Sequence, residues 1–223
     1  YMLLTELQIL AGHRSPYLVG FQGAFIEGAQ LCLCMEKSDC GDLSDYLFFL
    51  SQQRKQLSDI ILHDMLCDLS AGLHYLHKHV KAIHRDLKPS NILMYNNLQL
   101  KIADFGASIV FASNDPNTYR SNTVIGSPLY MSPEALSAKV YSQKTDMWSL
   151  GCLLFEMLSI EAAFHATSLS QLIKKVQRCQ YRQMKRQQPE HLVALIPKLL
   201  DVNPNTRFSI HHLITYLKKV EEN

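Results

Sequence analysis

The chain has 223 residues, 47% of them hydrophobic and 19% charged, with a formal net charge of +2. These proportions suit a globular protein with a sizeable core, in one domain or two closely packed lobes, and exclude a disordered chain. So small a charge, with no run of basic residues, excludes nucleic acid or an anionic membrane as the expected partner and leaves small molecules and proteins.

Dense apolar spacing at Met2, Leu3, Leu4, Leu7, Ile9 and Leu10 predicts a helix over 2–11, with no capping residue to announce its start. After Gly12 and Pro16, residues 17–26 and 31–35 read as two strands joined by a tight hairpin at Glu27-Gly28-Ala29-Gln30. Asp39-Cys40-Gly41 breaks the pattern. A short helix follows over 42–51, then a longer one over 58–79 with Ile61, Met65, Leu66, Leu69, Leu73 and Leu76 on one face. Residues 92–94 and 98–103 flank the polar turn Tyr95-Asn96-Asn97 as a second hairpin, which brings Asn91 at its entrance and Asp104 at its exit to one place. Residues 112–123 are polar, with a proline and several hydroxyls, and predict a mobile loop. Helices over 142–158, 168–177, 190–200 and 210–220 complete the chain, without internal repeats or low-complexity tracts.

Cys32, Cys34, Cys40, Cys67, Cys152 and Cys179 show no paired C-x-x-C spacing, so a disulfide framework is not indicated and a reducing, intracellular and cytoplasmic setting is expected. His74, His77 and His79 crowd one helix end but lack a second pair at zinc-ligand spacing. Tyr1-Met2-Leu3-Leu4 has neither the basic region nor the apolar core of a secretory signal, and no apolar run reaches membrane-spanning length.

The chemistry is concentrated in His84-Arg85-Asp86-Leu87-Lys88-Pro89-Ser90-Asn91, then Asp104-Phe105-Gly106, then Ser132-Pro133-Glu134. Moving a phosphoryl group needs little covalent help from the protein: a proton acceptor for the attacking hydroxyl, a cation for the phosphate oxygens and hard oxygen ligands for a metal suffice. Asp86, Lys88, Asn91 and Asp104 are those groups. Taken singly they read as an N-cap aspartate, a solvated lysine and two turn formers; together and in order they do not.

With these motifs the chain resembles the eukaryotic protein kinase family, serine/threonine type, over essentially its whole length. Through Gly126-Ser127-Pro128-Leu129-Tyr130-Met131-Ser132-Pro133-Glu134 and Asp146-Met147-Trp148-Ser149-Leu150-Gly151-Cys152-Leu153-Leu154-Phe155-Glu156 it is similar to the NIMA-related kinases. The resemblance implies an α+β, protein-kinase-like two-lobe fold. Residues 1–36 would be a truncated N-lobe keeping the family's C-helix and its fourth and fifth strands, 37–41 the hinge, and 42–223 a complete, mainly helical C-lobe. It further implies ATP and Mg²⁺ as cofactors and protein substrates as partners.

Carried over by position, Asp86 would accept or orient the substrate hydroxyl, Lys88 would neutralise the transferring phosphate, and Asn91 and Asp104 would hold Mg²⁺. Met35 would be the gatekeeper, the backbone of Glu36 and Ser38 would read the adenine edge, Asp42 would meet the ribose, and Leu93 with Leu43 would pack beneath the ring. Arg85 would pair with a phosphorylated loop residue, Thr123 first and Ser121 second, while Ser127 would bridge Asp86 and Lys88. Glu134 would meet Arg207 in a buried pair, and Asp146 would anchor the backbone of the catalytic loop.

Glu6 matches the family's helix glutamate, whose lysine partner would lie upstream of Tyr1, and no G-x-G-x-x-G stands among the glycines. The chain therefore reads as a fragment whose activity alone is expected to be weak or absent. A partner-binding pseudokinase scaffold is the alternative, and the four retained polar residues count against it. A P-loop hydrolase is excluded, since G-x-x-x-x-G-K-[ST] is absent.

Overall fold

The computed structural model describes residues 2–111, 119–120, 125–138, 140–185 and 188–222. They form the α+β arrangement expected, with the strands short and the second half dominated by helices. Helix α1 (Met2–Gly12) precedes the antiparallel hairpin of β1 (Phe21–Glu27) and β2 (Gln30–Met35), which pairs Glu27 with Gln30 and turns at Gly28. The first strand starts later than expected. Residues 17–19 instead pair with the distant strand β5 (Leu100–Ile102): Val19 N donates to the Ile102 carbonyl and Ile102 N to that of Tyr17, each at 2.9 Å.

Helix α2 (Leu43–Gln52) is capped by Asp42, whose side chain accepts from Asp45 N. Helix α3 (Asp59–Tyr75), capped by Ser58, buries Leu62, Met65, Leu66, Leu69 and Leu73; Ile61, assigned to that face by sequence, is only half-buried. The expected continuation to His79 exists in another form. The helix widens into a π turn at Leu76–Val80 and ends on Lys81, which is left-handed at φ 56°. Where α3 passes β5 the backbones nearly touch: a Cβ on Gly72 would lie 2.9 Å from both the Tyr17 carbonyl and Ile102 Cδ1.

Strand β3 (Ala82–Ile83) pairs with β6 (Ile109–Val110), and β4 (Ile92–Met94) pairs with β5 in the register Ile92↔Ile102, Leu93↔Lys101, Met94↔Leu100. Strand β7 (Tyr119–Arg120) pairs with β8 (Val140–Tyr141), which follows helix α4 (Pro133–Ala138). Part of the expected loop over 112–123 is thus a strand pair, while 112–118 and 121–123 lie outside the described residues.

Helix α5 (Gln143–Ser159) opens with a reciprocal Ser142/Thr145 capping box and is buried almost all round, as its apolar sequence requires. Its Trp148 stacks on Phe164 with ring centroids 5.8 Å apart. After α6 (Leu169–Gln177), the single helix expected over 190–200 is two short ones, α7 (Glu190–Val193) and α8 (Ile196–Leu199). Pro197 explains the break, because it has no amide to donate back into a preceding turn. Helix α9 (Ile210–Glu221) ends the described chain. Among the described residues, no helix is long and apolar enough to cross a membrane.

Candidate active site

The loop at 84–91 is held from beneath by one carboxylate. Asp146, wholly buried in the first turn of α5, accepts from His84 N at 2.9 Å, Arg85 N at 3.0 Å and His77 Nε2 at 2.7 Å. Burial alone would raise its pKa, but the His77 and His84 donors outweigh that and hold it below the usual carboxylate value. The π turn at the end of α3 is what delivers His77 to this point. His84 Nε2 donates to the Ala103 carbonyl at 3.0 Å, fastening the loop to the strand that leads into Asp104, and its Nδ1 accepts from Asp86 N at 3.3 Å.

Above this anchor, Asp86 is the centre of a polar knot. Its Oδ2 accepts from Lys88 Nζ at 2.7 Å and Asn91 Nδ2 at 3.3 Å, and its Oδ1 accepts from Ser127 N at 2.8 Å and Ser127 Oγ at 2.9 Å. Asn91 Nδ2 also donates to the Asp86 carbonyl at 2.8 Å. Ser127 therefore meets Asp86 directly, and the bridge to Lys88 expected of it runs through that carboxylate.

The β4–β5 hairpin sets the other side. Asn91 precedes β4, Ala103 follows β5, and Ala103 N donates to the Asn91 carbonyl at 2.9 Å, so Asp104 leaves the ladder beside Asn91. Asp104 is exposed and left-handed at φ 62°, while Phe105 beneath it is wholly buried against the His84 ring at 5.5 Å. Glu6 from α1 reaches the same space: a Cβ on Gly106 would lie 3.3 Å from Asp104 Oδ1 and 3.8 Å from Glu6 Oε2. Burial first, and the Asp104 charge second, push the Glu6 carboxyl up despite a bond from Phe105 N. Two carboxylates this close form a hard-oxygen donor pair that favours a cation.

The segment expected to read adenine is partly committed to other bonds. Met35 ends β2 and is 39% exposed. Glu36 N donates to the Gly20 carbonyl at 2.8 Å, so the Glu36 amide is engaged within the fold and the carbonyl is the backbone group left to meet a ligand. Its side chain, unforeseen from sequence, accepts from Lys101 Nζ at 2.6 Å and Gly20 N at 2.9 Å. Burial opposes ionisation there, yet Lys101 and Gly20 hold the Glu36 carboxyl below its ordinary value. Ser38 Oγ donates to the Gly41 carbonyl at 2.9 Å. Asp42 bridges to Leu93, and the next residue, Leu43, is wholly buried.

Arg85, left-handed at φ 71°, donates from Nε to the Ala107 carbonyl and lies over the rings of Tyr119 at 5.7 Å and Tyr141 at 5.4 Å. Burial lowers its pKa. Thr123 and Ser121 lie outside the described residues. Nearby, the Tyr141 hydroxyl accepts from Ile125 N at 2.9 Å and donates to the Ile125 carbonyl at 3.1 Å, a clamp that sequence reasoning missed. Also unforeseen, Tyr130 donates to Glu156 at 2.7 Å; no short-range signal marks such partners. The expected ion pair is present: Arg207, wholly buried, holds Glu134 through Nη1 at 2.7 Å and Nη2 at 2.9 Å.

A family model described as protein kinase domain matches residues 2–217. The probable serine/threonine-protein kinase nek2 of Dictyostelium discoideum is 29% identical over 219 residues, covering 96% of this chain and 51% of that protein. Human serine/threonine-protein kinase Nek11 is 33% identical over 98% of this chain and 33% of its own length, and human Nek5 is 34% identical over 94% and 29%. The chain thus spans about half or less of the length of these relatives. The Arg207–Glu134 pair and the knot around Asp86 thus sit in a chain that belongs to the protein kinase domain family and is similar to serine/threonine kinases of the NIMA-related kind.

Proposed function

We propose that the protein bearing this chain transfers the γ-phosphoryl group of ATP to serine or threonine hydroxyls of protein substrates. Family membership supports ATP, a divalent metal and protein substrates in general; Mg²⁺ is the ion assigned here. The observation that carries the reading is the Asp86 carboxylate, gripped by Lys88, Asn91 and Ser127 in one orientation. In the reaction the substrate oxygen bonds to the γ-phosphorus, the bond to the β,γ-bridging oxygen breaks, and ADP leaves. Asp86 takes the hydroxyl proton, and Lys88, already at that carboxylate, supplies positive charge to the transferred group.

Asn91 and Asp104 suit Mg²⁺. The Asn91 amide nitrogen is turned to Asp86, which frees its oxygen, and the Asp104 carboxylate is exposed and shares its space with Glu6. When bound, the metal would neutralise phosphate charge. The Glu36 carbonyl and the Ser38 backbone would meet adenine, with Met35, Leu93 and Leu43 around the ring and Asp42 at the ribose. On this assignment residues 1–36 belong to the small lobe, 37–41 to the hinge and 42–223 to the large lobe. Arg85, stacked between Tyr119 and Tyr141, would take a phosphate on Thr123 or Ser121, and the setting would be intracellular. No observation favours the pseudokinase scaffold.

The test is a peptide phosphorylation assay on purified protein. Asp86→Asn should lower kcat about 10²–10⁴-fold while the protein still melts cooperatively above the assay temperature, and Asp104→Ala should abolish the Mg²⁺·ATP thermal shift. Activity in Asp86→Asn within a few-fold of wild type would refute the assignment.

A further inference from the structure

On the side of α3 that meets α9, His63 and Cys67 are half-buried and stand one helical turn apart. Cys67 Sγ lies 3.8 Å from His63 Nδ1 and 4.0 Å from Nε2. Glu221, in the last turn of α9, brings a carboxylate oxygen to the same point, and the ligand atoms of the three residues lie within 4.8 Å of one another. Imidazole nitrogen and thiolate sulfur bound to one tetrahedral zinc ion stand about 3.6 Å apart, given bond lengths of about 2.0–2.1 and 2.3 Å. The His63–Cys67 pair is already near that separation. We propose that His63, Cys67 and Glu221 form a binding site for a borderline-soft divalent cation of the zinc type, with water as the fourth ligand, and that the bound ion ties the end of α9 to α3.

The nitrogen, sulfur and oxygen donor set suits zinc better than a hard cation, which would take oxygen alone. Further charge favours a cation: Asp64 lies 3.9 Å from His63 Nδ1, and Asp68 is also close enough to act on Cys67. A redox or nucleophilic use of Cys67 is disfavoured. Burial, reinforced by Glu221, Asp64 and Asp68, pushes its thiol up to about 11, so the metal-free side chain is a protonated, inert thiol. Binding therefore forms a sulfur–metal bond and releases one proton to solvent. The site is unlike the His74, His77 and His79 group discounted from sequence, where His77 is spent on Asp146.

Cobalt(II) is the probe. Added to the purified full chain, one equivalent should give a thiolate-to-cobalt charge-transfer band in the near ultraviolet, with tetrahedral d–d bands in the visible, all displaced by Zn²⁺. Zn²⁺ at about 100 times its Kd should raise the melting temperature by roughly 5–10 °C. Cys67→Ser should abolish the charge-transfer band, and Glu221→Gln, an exposed change that leaves the core intact, should weaken cobalt binding by about tenfold or more. A wild type without the band, a band that survives Cys67→Ser, or affinity unchanged in Glu221→Gln would overturn the site. None of these readouts depends on phosphoryl transfer, so they stand or fall apart from the kinase assay.

Discussion

Asp146→Asn isolates the anchor of the loop at 84–91. The carboxylate serves three donors: Oδ1 takes Arg85 N, and Oδ2 takes both His84 N and His77 Nε2. Asparagine keeps one acceptor oxygen and replaces the other with a donor. If that oxygen stays on Arg85, the new NH₂ group faces His84 N and His77 Nε2. His77 has a remedy, because its buried Nδ1 has no partner among the described residues and can take the proton, leaving Nε2 to accept. The His84 amide has none. One buried amide left unpaired costs about 1–3 kcal/mol, and the two bonds that remain, to Arg85 N and His77, fall from about 1.5–3 kcal/mol to about 0.5–1.5 kcal/mol each with the charge gone, partly offset because no charge need be desolvated. The expected loss is about 2–5 kcal/mol, a large share of the roughly 5–15 kcal/mol typical of a domain. Urea unfolding at neutral pH measures it. The pH trend carries a sign. Since the folded carboxyl lies below its unfolded value, its stabilisation is present above the unfolded pKa and is lost as pH falls through the folded one, so the gap between wild type and variant should close in acid. A variant within about 0.5 kcal/mol of wild type at neutral pH, or a gap that widens in acid, would refute the reasoning.

Glu6→Gln should melt higher than wild type at neutral pH. The folded Glu6 carboxyl is raised, so wild-type stability falls as pH climbs from the unfolded through the folded value; the advantage should vanish below the ordinary glutamate range, and a lower melting point at neutrality would contradict it. Gly126→Ala should destabilise by about 1–3 kcal/mol and slow catalysis, because φ is +116° and the added Cβ would sit 2.6 Å from the Arg85 carbonyl; unchanged urea midpoints would contradict that clash. Arg207→Lys should cost about 2–4 kcal/mol in the same assay, since one ammonium cannot serve Glu134 and the carbonyls of Asp201 and Lys144 together. A neutral result would mean that the planar fork is dispensable.

Much of this arrangement was legible in the chain because its signals are local. The helix starts expected at 42, 58, 142 and 168 fall on the residues that cap those helices in the structure, and the motif at 84–91 is contained within eight consecutive residues. The failures share a physical cause. Residues 17–19 read as the start of β1 by composition, but their partner is β5, far along the chain. The amphipathic pattern of α3 could not reveal the π turn that swings His77 toward Asp146, and the split between α7 and α8 was overlooked at Pro197. The Glu36–Lys101 and Tyr130–Glu156 pairs are tertiary, and tertiary pairing leaves no period to read.

The three rungs of the β4–β5 ladder act as a ruler. With Asn91 and Asp104 side by side at its inner end, an extra residue among the rungs would turn alternate side chains to the opposite face and carry one of the two away from its companion. An extra residue at the outer turn, Tyr95-Asn96-Asn97, would leave both where they are. The far tip of the hairpin can thus take a change of length that its inner end, where Asn91 and Asp104 meet, cannot.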